Sequence, residues 1–350
     1  MSSELITSKI TGTLLGVVVG DLLGEQVEGK SNPGAIRKFR KFARYTDDTE
    51  MTLITLQHLM AFETIKPLSI TLEYAINADP SRKYGGNAYK TLKSIKKSPE
   101  TWDVAYKEFL EDGSWGNGCL MRISPIALFD LEAPIEQLKK HLEDCLQGTH
   151  SNDEALQCSI EYCLILRNFF KHNPDEIIAQ GGQFLDDIIG RNLNQRLTDK
   201  VILIKNKLIE SNEINKYDQL SKFINTELVE HSIRSTDTLS IILALLTYNI
   251  KHKQWTPSAL LPIIISFGGD TDTNAAILGS LLGALYGVNW IDVDWFENIE
   301  NKKNITDLFQ RYSEKLIKTK RISVTITEIP LSKIPISKKI SLIDKIKTYF

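Results

Sequence analysis

A chain of 350 residues with 42% hydrophobic content is long enough to bury a substantial core, and its formal net charge of −2 shows no excess of either sign. That balance gives no global case for a nucleic-acid or membrane surface, so partners have to be read from local features. The N-terminus, MSSELITSKITG, lacks a basic start followed by an apolar block, and the longest apolar run, ALLPIIISF, is too short to cross a bilayer. Cys119, Cys145, Cys158 and Cys163 form no Cys-x-x-Cys pair. They are expected to be core thiols in a reducing, cytoplasmic compartment.

Along the chain, apolar residues recur mostly at three-and-four spacing, which predicts a mainly helical protein. The first element, SKITGTLLGVVVGDLLGEQVE, places Gly12, Gly16, Gly20 and Gly24 four apart. Glycine inside a helix costs about 1 kcal/mol relative to alanine, so such a ridge implies close approach by another helix backbone. The expected partner is NAAILGSLLGALYG, where Gly279, Gly283 and Gly287 repeat the spacing. Crossing these two helices brings the acidic residues at their ends to one place. Asp21 and Glu28 stand seven apart, a spacing that puts both on one face if the helix continues, although Gly29 and Pro33 signal a loop around Glu28.

Next, YTDDTEM opens a helix, with Thr46, Asp47, Asp48 and Thr49 at its start. EDGSWGNGCLMRISPIAL reads as a glycine-rich loop running into a helix, and His150 precedes an amphipathic helix capped by Ser151 or Asn152. Residues 172–230 are polar with a helical pattern, read as a peripheral hairpin. STDTLSIILALLTYNI is nearly all apolar and therefore central. Residues 1–300 contain no linker and read as one domain. Residues 301–350 form a basic, Ile/Lys-rich C-terminal extension in which RISVTITEIP alternates like a short strand.

The chemistry concentrates in two acidic clusters. FGGDTDTNAAILG packs Asp270, Thr271, Asp272 and Thr273 beside an aliphatic run, and Thr46, Asp47, Asp48 and Thr49 repeat the arrangement. A single such residue would mean only helix capping. Two adjacent carboxylates repel, and one helix dipole offsets only part of that repulsion. The clusters contain no His or Cys, so their all-oxygen donor set suits Mg²⁺ or Mn²⁺ before Ca²⁺ and disfavours Zn²⁺. Asp47, Asp48, Asp270 and Asp272 together exceed what one Mg²⁺ recruits, which points to a metal pair. Ser114, Gly116, Asn117 and Gly118 can aim backbone N–H groups at a phosphate, although Gly-Asn-Gly is also ordinary turn chemistry.

In order and spacing, GVVVGDLLGEQVE, YTDDTEMTL, GNGCLMR, THSNDEA and GGDTDTNAAILGSLLGALYG resemble the motifs of the ADP-ribosylglycohydrolase family. The resemblance implies an all-α, compact orthogonal helical bundle with a binuclear Mg²⁺ site that cleaves the bond between ADP-ribose and a modified side chain or small conjugate. It further implies metal ligands Thr46, Asp47, Asp48, Asp270, Asp272 and Thr273, with Glu28 as the loop acid/base and Asp48 as the other candidate for that role. Ser114, Gly116, Asn117 and Gly118 would hold the diphosphate, with His150 near the nucleotide. Cys119 and Leu120 depart from the small residues usual at their positions and are expected to reshape the far side of the loop. A non-catalytic ADP-ribose-binding or structural protein on the same fold is the alternative, and a metal-dependent phosphoesterase a third. The motifs set neither the acceptor nor the oligomeric state.

Overall fold

The computed structural model describes residues 1–31, 33–40 and 43–323. Among the described residues there are 16 α-helices and no strand, the extended pairing being a single bridge between Gly116 and Arg234. The expected all-α class is what the chain adopts.

Two helices, Ser3–Gly24 and Thr271–Tyr286, form the axis of the bundle. They run antiparallel in backbone contact: Gly12 faces Gly287, Gly16 faces Gly279, Gly20 faces Ala275 and Gly24 faces Thr271. A Cβ on Gly16 would overlap the Gly279 carbonyl, and one on Gly279 the Gly16 carbonyl. The glycine ridges therefore exist for close approach, as their spacing predicts. Their antiparallel register lays the end of the first helix, carrying Asp21, beside the start of the second, carrying Asp272.

The Ser3–Gly24 helix is a longer apolar segment than ALLPIIISF, and by length and composition it could cross a membrane. Within the fold, however, Ile6 and every residue from Ser8 to Gly24 are buried. Lys9 lies on this buried surface, and its Nζ donates to the carbonyls of Phe169, Phe170 and His172 at 3.2, 2.8 and 2.6 Å. A cation thus supplies the donors that the C-terminal end of the Asp153–Lys171 helix otherwise lacks. Tyr162 of that helix meets Ser280 of the second axial helix at 2.7 Å. The Ser235–His252 helix is buried from Ser235 to Tyr248, which confirms its central place. All four cysteines are free and buried.

Residues 172–230 do not form a hairpin of two long helices. They break into Pro174–Gln180, Gln183–Arg191, Gln195–Lys205 and Tyr217–Phe223. The breaks have local causes: Gly181 at φ 59° and Asn192 at φ 45° end two of these helices, and Asn173 and Asn194 side chains cap the starts of two. Beyond residue 300, the Lys302–Lys318 helix buries Ile305, Leu308, Phe309, Tyr312 and Leu316. Tyr312 Oη donates to the Pro125 carbonyl at 2.7 Å, and Lys315 Nζ to that of Met60 at 2.8 Å. Most of RISVTITEIP, with the strand expected there, lies outside the described residues.

Candidate active site

The Asp47–Phe62 helix starts against the end of the first helix, and one carboxylate joins them. Asp21 accepts from the Thr46 and Thr49 backbone N–H groups and, at 2.6 Å, from Thr49 Oγ1. Asp21 is completely buried, and burial pushes it up to about 6 despite these donors. The helix to which Asp21 belongs ends at Gly24, so Asp21 and Glu28 do not share a face. Asp21 turns inward as a cap for the neighbouring helix, whereas Glu28 stands exposed on the turn beyond.

Asp48 Oδ2 accepts from Thr46 Oγ1 at 3.2 Å and Thr273 Oγ1 at 3.3 Å, which joins the two acidic motifs directly. Its other oxygen, Oδ1, is buried with no hydrogen-bond partner. Thr46 Oγ1 also caps the helix by accepting from Asp48 N–H. Burial, and then the neighbouring carboxylates Asp21 and Asp270, hold Asp47 well above the ordinary carboxylate range. Asp48 is raised by burial and by Asp21, Asp47 and Asp270, and Asp272 by burial and by Asp270 and Asp48. Donor oxygens of Glu28, Asp270 and Asp272 lie within 4.8 Å of one another, a spacing that one cation can span. A cluster of this kind takes up protons or binds cations, because leaving several buried carboxylates charged and unpaired is too costly.

The glycine loop closes the opposite wall. Its bridge to Arg234 is reinforced by Asn117 N–H to the Ile233 carbonyl at 2.8 Å and Ser235 Oγ to the Trp115 carbonyl at 2.9 Å. Ser114 Oγ accepts from Gly116 N–H, so the Gly116 and Asn117 amides are used within the loop's own framework. The Asn117 side chain reaches the acidic cluster through Asp270 Oδ2, at 2.8 Å. Cys119 and Leu120 are fully buried and are not among the residues that line the cavity, so they face the core behind the loop.

His150 packs against this loop: a Cβ on Gly118 would meet its Nε2 at 2.9 Å, so only glycine leaves room. Its Nδ1 lies 3.0 Å from Thr149 Oγ1 and 3.5 Å from Arg122 Nη2. Burial, and then the Arg122 guanidinium, push His150 well below its usual range and keep it neutral. With a cationic donor facing Nδ1, the proton sits on Nε2, the nitrogen beside the glycine loop. Arg122 is itself fully buried, stacked 4.8 Å over the Tyr74 ring.

These walls enclose a cavity of about 520 Å³ that Glu28, Asp47, Asp48, Asp270, Asp272 and Thr273 line on one side. Ser114, Gly116, Asn117, Gly118 and His150 line the other side. Thr46 does not reach the cavity and stands behind it. Three further residues of the site carry no mark in the sequence as functional candidates. Trp115 is held between Arg234 at 4.9 Å and His231 at 5.8 Å, Arg122 forms the floor, and Lys83 sits at the rim. Trp115 and Arg122 adjoin motif residues, but nothing local signals Lys83.

Comparison with known proteins decides the family: the ADP-ribosylglycohydrolase model matches residues 2–321. The chain belongs to the ADP-ribosylglycohydrolase family. The mouse ADP-ribosylhydrolase ARH3 is 23% identical over 339 residues, spanning 84% of this chain and 88% of its own. The ADP-ribosyl-[dinitrogen reductase] glycohydrolase of Rhodospirillum rubrum is 26% identical over 321 residues, 86% of this chain and 94% of its own. A putative ADP-ribosyl glycohydrolase, L543, of Acanthamoeba polyphaga mimivirus is 25% identical, covering 89% of this chain and 96% of its own. A solved ADP-ribosylglycohydrolase-related protein complex shares the fold with a TM-score of 0.64 at 22% identity, over 88% of this chain and 98% of that one. Membership carries the ADP-ribosylglycohydrolase activity class, hydrolysis of ADP-ribose linkages.

Proposed function

We propose that this ADP-ribosylglycohydrolase is metal-dependent: with two Mg²⁺ ions, or Mn²⁺ in their place, it cleaves the C1″ bond between ADP-ribose and a modified side chain or small conjugate. The observation that carries this reading is the unpartnered, buried Oδ1 of Asp48, set among carboxylates raised by burial and then by one another's charge. Asp47, Asp48, Asp270 and Asp272 supply hard oxygen donors, Thr273 a hydroxyl from the same turn and Thr46 one from behind it. Cations held by these residues would supply positive charge that neutralises the carboxylates and Lewis acidity toward hydroxyl and water oxygens.

The other groups act on the substrate directly. Glycosidic cleavage passes through an oxocarbenium-like state and needs a carboxylate that takes a proton from water and passes one to the leaving group. Glu28 stands at the mouth, where the acceptor must leave, and takes that role on its carboxylate oxygens, with Asp48 as the interior alternative. His150 Nε2–H, neutral and fixed in tautomer, donates to a polar group of the nucleotide. The Ser114–Gly118 loop borders the diphosphate, and the Trp115 ring offers a flat wall for a base. Asn117 fixes Asp270 and so ties substrate wall to acidic wall.

Incubation with arginine- and serine-ADP-ribosylated peptides, followed by mass spectrometry, tests the reaction and identifies the acceptor. Free ADP-ribose from one peptide is the expected result. AMP in its place would indicate phosphoester chemistry, and tight ADP-ribose binding without turnover would indicate a non-catalytic binder.

A further inference from the structure

Lys83 occupies a position at which lysine is strained. It follows the short Pro80–Arg82 turn with φ 62°, in the left-handed region that glycine adopts freely and other residues seldom do. From there its side chain lines the cavity. Its Nζ donates to the Glu25 carbonyl at 2.6 Å and lies 3.2 Å from both Glu25 Oε2 and Glu28 Oε2. Glu25 is buried and also bound by Arg40 at 2.8 Å, so it is a fixed point. One ammonium thus ties Glu28, on an exposed turn, to an anchored carboxylate.

Glu28 needs such a tie. Its donor oxygen lies within 4.8 Å of those of Asp270 and Asp272, so wherever these groups are ionised and no cation stands among them they push it outward. The turn's backbone is also held by Gly29 N–H to the Gly269 carbonyl at 2.9 Å, Gly269 N–H to the Lys30 carbonyl at 3.2 Å, and the Val27 and Lys30 N–H groups within the turn. Gln26 bonds the Lys38 carbonyl and Arg40 N–H, and none of these bonds touches the Glu28 carboxylate.

From this geometry we infer that Lys83 is a positioning residue for Glu28: its ammonium latches the Glu25–Lys30 turn against the acidic cluster, so that the Glu28 carboxylate stands at the mouth before substrate arrives. The inference rests on Glu28 as the proton-transferring group of the proposed reaction.

Lys83→Gly removes the latch while relieving the backbone, and Lys83→Arg keeps the charge. In EDTA, the Gly variant should melt within about 3 °C of the parent, because the relief and the lost ion pairs offset. Hydrogen exchange of segments 25–31 and 267–270 should quicken about tenfold in that variant and not elsewhere. With substrate, its kcat should fall about tenfold with KM within about twofold, and Lys83→Arg should recover most of the loss. Parent-like exchange and kcat in Lys83→Gly would overturn the inference, as would uniformly faster exchange along the whole chain, which would assign Lys83 to global stability. Should the parent hydrolyse neither peptide, the exchange measurement still decides the latch by itself, and the failure belongs to the proposed reaction.

Discussion

The Asn117 side-chain amide donates to Asp270 Oδ2 at 2.8 Å and to Thr238 Oγ1 at 3.1 Å, so the glycine loop, the central Ser235–His252 helix and the acidic cluster are fixed to one another by a single residue. Asp270 opens the Thr271–Tyr286 helix without capping it by a side-chain bond, which leaves its carboxylate free to be aimed by Asn117. Removing a hydrogen-bond partner of a ligating carboxylate commonly costs about 10- to 100-fold in metal affinity. Asn117→Ala should weaken Mg²⁺ binding by that order in isothermal calorimetry. Asn117→Asp should weaken it at least as much at low occupancy, since it sets another carboxylate against Asp270. Unchanged affinity in both would detach Asp270 from metal binding.

Asp48→Asn should trade function for stability. The raised position of Asp48 means that its charge is unfavourable in the metal-free fold, and an amide of the same shape removes that charge. Its melting temperature in EDTA should exceed the parent's by about 3–5 °C, while hydrolysis should fall by about 10³-fold or more. A variant less stable than the parent in EDTA would show that the Asp48 charge is already compensated.

Burial of these carboxylates, with their mutual repulsion second, sets a pH dependence. Asp21 at about 6, with Asp47, Asp48 and Asp272 higher than ordinary carboxylates, gives the metal-free fold more bound protons than the unfolded chain above about pH 4. Their contribution to stability is therefore fully present at low pH and is lost as pH rises through the raised values, first near 6 and then above. Mg²⁺ competes with those protons, so its stabilisation should grow with pH. Scanning calorimetry at pH 5 and pH 8, each with EDTA and with Mg²⁺, should show the larger Mg²⁺ shift at pH 8. Equal shifts, or a larger one at pH 5, would contradict the cation reading of the cluster.

The axial contact permits a sharp comparison between two glycines. Gly16→Ala drives a methyl into the Gly279 carbonyl, where backbone faces backbone and neither can yield cheaply. It should cost about 3 kcal/mol or more and lower the urea midpoint strongly. Gly190→Ala, within the Gln183–Arg191 helix with nothing near the added carbon, should be neutral or stabilise by up to about 1 kcal/mol. Similar midpoints for the two variants would refute backbone contact as the reason for the ridge.

How much of this was legible in the sequence depended on range. The glycine ridges announced their pairing because glycines four apart weaken a helix unless a second backbone packs into the groove they leave. That pairing, together with Asp21 holding the start of the Asp47–Phe62 helix, brings Asp48 to Thr273 across 225 positions. The motif residues were legible as chemistry because adjacent carboxylates without a counter-charge demand one. Asp21 was readable only as a carboxylate near a helix end. Its role as a cap for Thr46 and Thr49 is made by tertiary contact, and the seven-residue spacing misled because the helix stops at Gly24. Lys83 meets Glu28 across 55 residues, in a turn whose sequence, SRKYGG, gives no sign of it. The hairpin expected over 172–230 failed for a local reason: a polar helical period says nothing about where Gly181 and Asn192 will interrupt it.

The most direct test of the central claim is a Mg²⁺ titration of EDTA-stripped protein, with ADP-ribose release from the responsive peptide and calorimetric stoichiometry followed together. The predicted result is no turnover in EDTA and recovery of activity as two equivalents bind. Full activity in EDTA, or no binding of Mg²⁺ to the parent protein, would contradict it.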